Sequence, residues 1–173
     1  MVARLDMKMA LSGREITQPK LTHGFVILPF NNSMERELAE MVFLCYKGHG
    51  DLEFLQERTT VEGCLALVRK EIVERKMLAP LIIMQGEKFC GFTWAALHDG
   101  KHYVSEVGVV PEFRGKGLGR ALLAKIVAEI AALGAKEVYL GVSAPNEDAA
   151  HLYKSFGFEV IREWDTKDLK KKK

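Results

Sequence analysis

The sequence has little cysteine and no paired cysteine motif. Its 173 residues include three cysteines, at positions 45, 64 and 90, and no CxxC. Small secreted domains that depend on disulfides carry more cysteines, usually in even numbers. We therefore expect a reduced, cytoplasmic protein in which the cysteines act as small core residues.

Long hydrophobic runs and metal-binding motifs are also missing. Residues 1–13 contain only broken apolar pieces, and no run is long enough to span a bilayer. The five histidines form no HExxH motif. His98 and His102 flank a turn and could in principle share a metal, but two exposed hairpin residues are the simpler interpretation. We expect neither a membrane partner nor a metal.

The net charge of +2 conceals an uneven distribution of charged residues. Residues 167–173 hold five lysines and one aspartate. Without that tail, the totals of 25 basic and 23 acidic side chains fall to 20 and 22. The body of the protein is therefore slightly acidic, and a nucleic-acid-binding face is not expected.

The length and the apolar fraction of 48% suit one globular domain. Residues 1 to about 22 show no clear periodicity, which predicts a loose, variable N-terminal segment. We expect a single domain over residues 23–166, followed by the lysine-rich tail, residues 167–173.

Turn residues and apolar spacing predict the element order β-α-α-β-β-β-α-β-α-β. Asn32 is expected to cap the first helix, Thr59 with Glu62 the second, and Asn146 the last. Asp99–Gly100 predicts a two-residue hairpin turn. The order indicates a mixed α/β protein with antiparallel strands first and a βαβ crossover late in the chain.

The most informative stretch is SEVGVVPEFRGKGLGRALL, residues 105–123. Glycine-rich turns before a helix bind phosphates, because backbone N–H groups and the helix dipole point at the anion. A Walker A loop would need GxxxxGK[ST], which this stretch does not supply. A dinucleotide-binding loop would need GxGxxG and an acidic residue at the end of the next strand. Here the glycine spacing is GxGxG and that strand ends in Gly141–Val142–Ser143, so a dinucleotide-binding domain is a weaker alternative.

Residues 114–119, RGKGLG, match the pattern (R/Q)xxGx(G/A), and the stretch NEDAAHLYKSFGFEV follows at residues 146–160. Together the two motifs resemble those of the GCN5-related N-acetyltransferase (GNAT) superfamily, over roughly residues 81–164. The resemblance implies the GNAT fold, a central mixed, mostly antiparallel sheet flanked by helices. It also implies acetyl-CoA as co-substrate and direct attack by an amine in a ternary complex.

The resemblance assigns coenzyme-binding roles to particular residues. The pyrophosphate would be held by Arg114, Gly115, Lys116, Gly117, Leu118, Gly119 and Arg120. Pantetheine would lie in a gap beside a bulged strand and bond to the backbone of Val107, Gly108 and Val109, with a further contact from Asn146. Tyr153 would contact the coenzyme and protonate the departing sulfur.

Glu106 is the candidate catalytic base. By strand alternation it points to the opposite face from Val107 and Val109, and a glutamate in mid-strand is unusual. The alternative is a solvated glutamate paired with a lysine or arginine. Family members that acetylate a ribosomal protein's N-terminus carry a glutamate where this chain has Gly141, which argues against that chemistry. His151, two residues before Tyr153, is expected to face elsewhere.

The acceptor amine is not determined by the sequence. Residues 46–54 and the two early helices would shape its pocket, with polar candidates Cys45, Tyr46, His49, Asp51 and Glu53. A small amine, an amino acid, a protein N-terminus and a lysine side chain all remain open. A non-catalytic CoA-binding module on the same fold is the main alternative for function. Family members often dimerise through their last strands, so a homodimer is a further expectation.

Overall fold

The computed structural model describes residues 3–47, 56–74 and 77–167. In chain order its elements are β1 (Ala3–Ala10), β2 (Phe25–Pro29), α1 (Glu35–Tyr46), α2 (Val61–Val73), β3 (Leu78–Gln85), β4 (Lys88–His98), β5 (Lys101–Val109), α3 (Leu118–Ala132), β6 (Glu137–Ser143), α4 (Glu147–Phe156) and β7 (Glu159–Asp165). From β2 onward this is the predicted order.

The strands form one sheet in the order β2-β3-β4-β5-β6-β1-β7. Neighbouring strands run antiparallel except β5 and β6, which are parallel and are joined through α3. The predicted hairpin joins β4 to β5, with positive φ at both Asp99 (48°) and Gly100 (72°). The prediction of a mixed, mostly antiparallel sheet with a late βαβ crossover is confirmed.

The N-terminal segment is the main departure from the sequence-based expectation. Residues 1 to about 22 were predicted to be loose, but β1 pairs with β6 on one side and with β7 on the other. Met7 and Met9 are fully buried, while Asp6 and Lys8, which alternate with them, bond to side chains of the neighbouring strands. Buried side chains and hydrogen-bonded side chains alternate here as they do in a strand. β1 therefore completes the sheet, which was predicted without it.

Two capping residues lie one position from the predicted ones, and the first of them, Asn31, caps a short 3-10 turn (Asn32–Met34) that leads into α1, whose own N-cap Met34 has no side-chain cap. The side chains of Asn31 and Thr60 accept the capping hydrogen bonds where Asn32 and Thr59 were predicted. Asn146 caps α4 as predicted. Local patterns locate helix ends only to within a residue or two.

Helices cover both faces of the sheet around β4 and β5. Cys45 of α1 lies against one face at Gly108, and Leu122 of α3 lies against the other at Gly91. The three cysteines are buried free thiols, as predicted. Within the described ranges, no helix is long and apolar enough to cross a membrane.

Candidate active site

Strands β5 and β6 pair only near their beginnings. Tyr103 of β5 pairs with Tyr139 of β6, and the centroids of the two rings lie 5.5 Å apart. Further along β5, Trp94 of β4 faces Glu106 while Ala95 faces Val104, so β5 contains one extra residue and bulges. In the described chain, the second half of β5 therefore has no ladder partner in β6, which is the splayed strand pair that the resemblance implied.

Two valines turn backbone groups toward this gap. The Val110 N–H donates to the Cys90 carbonyl of β4 at 2.9 Å. Because backbone groups alternate along a strand, those of Val109 and Val107 point away from β4, toward β6. This orientation suits the pantetheine contact predicted for both.

Gly108, the third residue predicted to contact pantetheine, pairs with Phe92 of β4. Its carbonyl oxygen faces Gly91 in β4, so its backbone bonds within the sheet and not across the gap. A Cβ at Gly108 would lie 2.4 Å from the Phe92 ring and 3.1 Å from the Cys45 Sγ atom. Glycine is needed here for the close packing of α1 on the sheet.

The glycine loop ends at an uncapped helix. Gly115 and Gly117 both have φ of +75°, in the left-handed region, with open space on the side where a Cβ would lie. Gly117 is the N-cap of α3, and no side chain caps that helix. Leu118 is buried and anchors the first turn. The N–H groups of that turn therefore remain donors for an anion at the loop.

The cations of the loop contact the protein itself. Each hydrogen-bonds to a neighbouring group at 3.0–3.1 Å: Arg114 to the Val109 carbonyl, Lys116 to the Glu112 carbonyl and Arg120 to the Ser155 hydroxyl. Arg114 also donates to the Cys45 carbonyl at 3.3 Å, which ties the loop to α1. These side chains add positive charge near the loop. The donors left available for an anion are the backbone N–H groups in the first turn of α3.

Glu106 is enclosed by two hydrogen-bond donors. One carboxylate oxygen accepts from Arg58 Nη2, and the other accepts from the Tyr46 hydroxyl at 2.6 Å. The side chains of Arg58 and Glu106 are only 12% and 10% exposed. The alternative interpretation of Glu106 was therefore correct about an arginine partner and wrong about solvation.

The negative charge of Glu106 shifts the pKa values of both Tyr46 and Arg58 upward. Burial raises the pKa of the Tyr46 phenol, and the negative charge of Glu106 raises it further. Burial by itself would lower the pKa of Arg58, but attraction to Glu106 makes the net shift upward. The Arg58 guanidinium also lies over the Tyr46 ring, 4.4 Å from its centroid. We call these three residues the Glu106 cluster.

Tyr153 faces the same region from α4. Its side chain is buried, packed edge-to-face against Phe158. Burial raises the pKa of its phenol, and the charge of Glu106 contributes to the increase. The two predicted catalytic residues are thus close enough to interact electrostatically, and Tyr153 stays protonated at neutral pH. His151 is exposed, as expected.

Arg58 was missed by the sequence analysis. It lies in a short 3-10 helix, Gln56–Arg58, and is 48 positions from Glu106. No local pattern connects the two, so only the fold shows that they pair. The other polar pocket candidates, His49, Asp51 and Glu53, lie outside the described residues.

The described part of the chain holds no group of three or more potential metal ligands. His98 is exposed at the end of β4, beside Asp99, and His102 lies near the start of β5.

The chain matches known acetyltransferase sequences. The sequence model of the Acetyltransferase (GNAT) family matches residues 48–158. The mycothiol acetyltransferase of Kocuria rhizophila is 43% identical over 79 residues, which cover 42% of this chain and 26% of that protein. That of Propionibacterium freudenreichii is 39% identical over 77 residues, covering 41% and 24%. The aligned stretch thus spans about a quarter of the length of these relatives.

Solved structures share the fold. A GCN5-related N-acetyltransferase from Sphaerobacter thermophilus superposes with a TM-score of 0.73 at 21% identity, covering 94% of this chain and 49% of that one. The PaiA N-acetyltransferase from Thermoplasma acidophilum, in complex with coenzyme A, gives 0.66 at 20% identity, covering 82% and 93%. The aminoglycoside N-acetyltransferase AAC(6')-Iy, in complex with CoA, gives 0.64 at 20% identity, covering 84% and 95%.

Proposed function

Since this chain belongs to the acetyltransferase (GNAT) family, whose sequence model matches residues 48–158, we propose that it transfers the acetyl group of acetyl-CoA to an amine. One observation carries the proposal. The gap beside β5 opens between an uncapped, glycine-rich helix start and the pair Glu106 and Tyr153. On this proposal, the coenzyme-binding groups and the acid–base groups would be adjacent.

The coenzyme would be held mainly by the backbone. The first-turn N–H groups of α3 suit a pyrophosphate, and the backbone groups of Val107 and Val109 suit pantetheine. The Val109 N–H would then stabilise the charge that develops on the thioester carbonyl oxygen. Asn146 Oδ1 already caps α4, so its amide nitrogen is the group left for the predicted pantetheine contact.

Two side chains would handle the protons of the reaction. Glu106 would accept the proton of the attacking amine, directly or through water. Tyr153 would donate a proton or a hydrogen bond to the leaving sulfur, and its raised pKa keeps it in the protonated state that this role needs.

Direct attack on the thioester is favoured over an acetylated cysteine. Burial raises the pKa of Cys45 to about 12 and that of Cys64 to about 11. Thiols with such pKa values are poor nucleophiles at neutral pH. Buried free thiols also support the proposal of a reducing, cytoplasmic setting.

A homodimer through the last strands is part of the proposal. β7 lies at one edge of the sheet, and its Val160 and Ile161 are exposed. Size measurement in solution, with Ile161→Lys as the test variant, would detect such a dimer.

The first experiment is calorimetric titration with acetyl-CoA, with NAD as comparator, followed by thiol release in the presence of amines. We expect micromolar binding of acetyl-CoA alone and one thiol released for each amine acetylated. Binding without thiol release would instead support a non-catalytic module on the same fold. Preference for NAD would contradict the assignment of the loop.

A further inference from the structure

The Glu106 cluster is an unusual neighbour for a simple cationic amine. Glu106, the carboxylate that would bind the ammonium group, is already paired with Arg58. An amine with one positive charge would either compete with Arg58 for Glu106 or be repelled by it. If the amine won, an enclosed guanidinium would lose its counter-ion, which is strongly unfavourable.

Arg58 has donor capacity beyond this pair. Its Nη2 bonds to Glu106, but its Nε is buried without a hydrogen-bond partner in the structure. The Tyr46 ring beneath it and the Glu106 carboxylate together restrict the movement of the guanidinium. A guanidinium held in one plane presents paired donors that match a carboxylate, which a lysine ammonium does not. The side chain is 12% exposed while Nε itself is buried, so a ligand carboxylate would approach the exposed part of the guanidinium and take the place of Glu106 on it.

We propose, on the basis of the acetyl transfer proposed above, that the acceptor is an α-amino acid. Its ammonium group would bind to Glu106 and its carboxylate to Arg58. A zwitterion inserted into the ion pair gives each protein charge a new partner, so no charge is left unpaired. After the amine loses its proton, the carboxylate still holds the substrate on Arg58 during attack. A monocationic amine could pair with Glu106 but has no negative charge to pair with Arg58.

The test is a matched acceptor panel with thiol release as the readout. It contains the common α-amino acids, their methyl esters, the amines that lack the carboxyl group, and an aminoglycoside as a polycation without a carboxylate. The methyl ester removes the negative charge and adds one methyl group. It also lowers the pKa of the amine, so a preference for the acid cannot come from a larger fraction of free amine. We expect kcat/KM for the best amino acid to exceed that of its ester and its decarboxylated amine by at least about tenfold, as expected for loss of one enclosed charged contact.

The variant Arg58→Gln tests the residue assignment. We expect the preference for acid over ester to fall below about threefold, because the neutral amide cannot pair with a carboxylate. Arg36→Gln is the matched control, since Arg36 lies on α1, 62% exposed beside Glu40. It should leave the preference unchanged. The panel on the unmodified protein decides the matter even where Arg58→Gln does not fold.

Three outcomes overturn the inference: esters or simple amines used as well as the acids, no amino acid acetylated at all, or a preference that survives in a folded Arg58→Gln protein. None of these removes acetyl-CoA binding, which is measured separately by calorimetry. Failure of the proposed acetyl transfer would instead appear as missing coenzyme binding or as no thiol release with any amine.

Discussion

The glycine loop and the Glu106 cluster lie at opposite ends of the last four residues of β5 but present different chemical groups. The loop presents backbone N–H groups, and its cations bond to nearby protein atoms. The cluster consists of side-chain charges held out of water. A coenzyme shared by a whole family can be bound through the backbone, whereas an acceptor that differs among members needs side chains. The two regions should therefore respond differently to mutation.

The largest expected effect is that of Glu106→Gln. We expect kcat to fall by about 10²–10⁴-fold through loss of a general base. The free energy of unfolding should also fall by about 3 kcal/mol, because Arg58 is left without its counter-ion. The dissociation constant for acetyl-CoA should not change. Thiol-release kinetics, urea unfolding and calorimetry measure the three quantities.

The double variant Glu106→Gln/Arg58→Met is the control for this prediction. Removing both charges should restore most of the lost stability but none of the rate. Wild-type kcat in either variant would show that Glu106 is only a structural partner of Arg58.

Gly117→Val should affect the loop without affecting the cluster. A β-branched residue at φ of +75° is strained and places a Cβ in the space in front of the loop. We expect acetyl-CoA binding to weaken by at least about tenfold and stability to fall by about 1–2 kcal/mol. Gly134→Val is the matched control, with φ of +84° and similar open space beyond the other end of α3. Equal coenzyme affinity in the two variants would remove the loop from the site.

Tyr153→Phe should affect kcat alone and should leave both coenzyme affinity and stability nearly unchanged. Loss of a proton donor is expected to lower kcat by about 100-fold with unchanged coenzyme affinity. Because the pKa of Tyr153 is raised, the phenol should stay protonated beyond the ordinary tyrosine value of about 10. The rate should therefore show no decline due to this group below about pH 10. A decline near pH 9 that disappears in Tyr153→Phe would contradict the assignment.

The smallest expected effect is that of Cys45→Ala. The thiol, with a pKa raised to about 12, stays protonated and takes no part in acetyl transfer. We expect unchanged kcat and a loss of about 1 kcal/mol of stability from the small cavity. Loss of activity, or an acetylated Cys45 detected by mass spectrometry in the wild type, would favour a covalent route.

The parts of the molecule that could be predicted from the sequence depend on local chemistry. Gly117 needs a left-handed backbone, Asp99–Gly100 forms a two-residue turn, and Asn146 caps the helix that it precedes. Each of these is decided by residues within one turn of chain. The motif pattern predicted roles for Tyr153 and Glu106 for a similar reason, since each belongs to a short recognisable stretch.

The sequence by itself determined the glycine loop, the hairpin and the late βαβ unit, because their residues interact with near neighbours. Only the tertiary structure decided that β1 inserts between β6 and β7, where Lys8 pairs with Glu137 across 129 positions. It also decided that Arg58 encloses Glu106, 48 positions away. Both contacts depend on which segments the sheet and helices bring together, and a charged residue in an otherwise unpatterned segment does not indicate its distant partner.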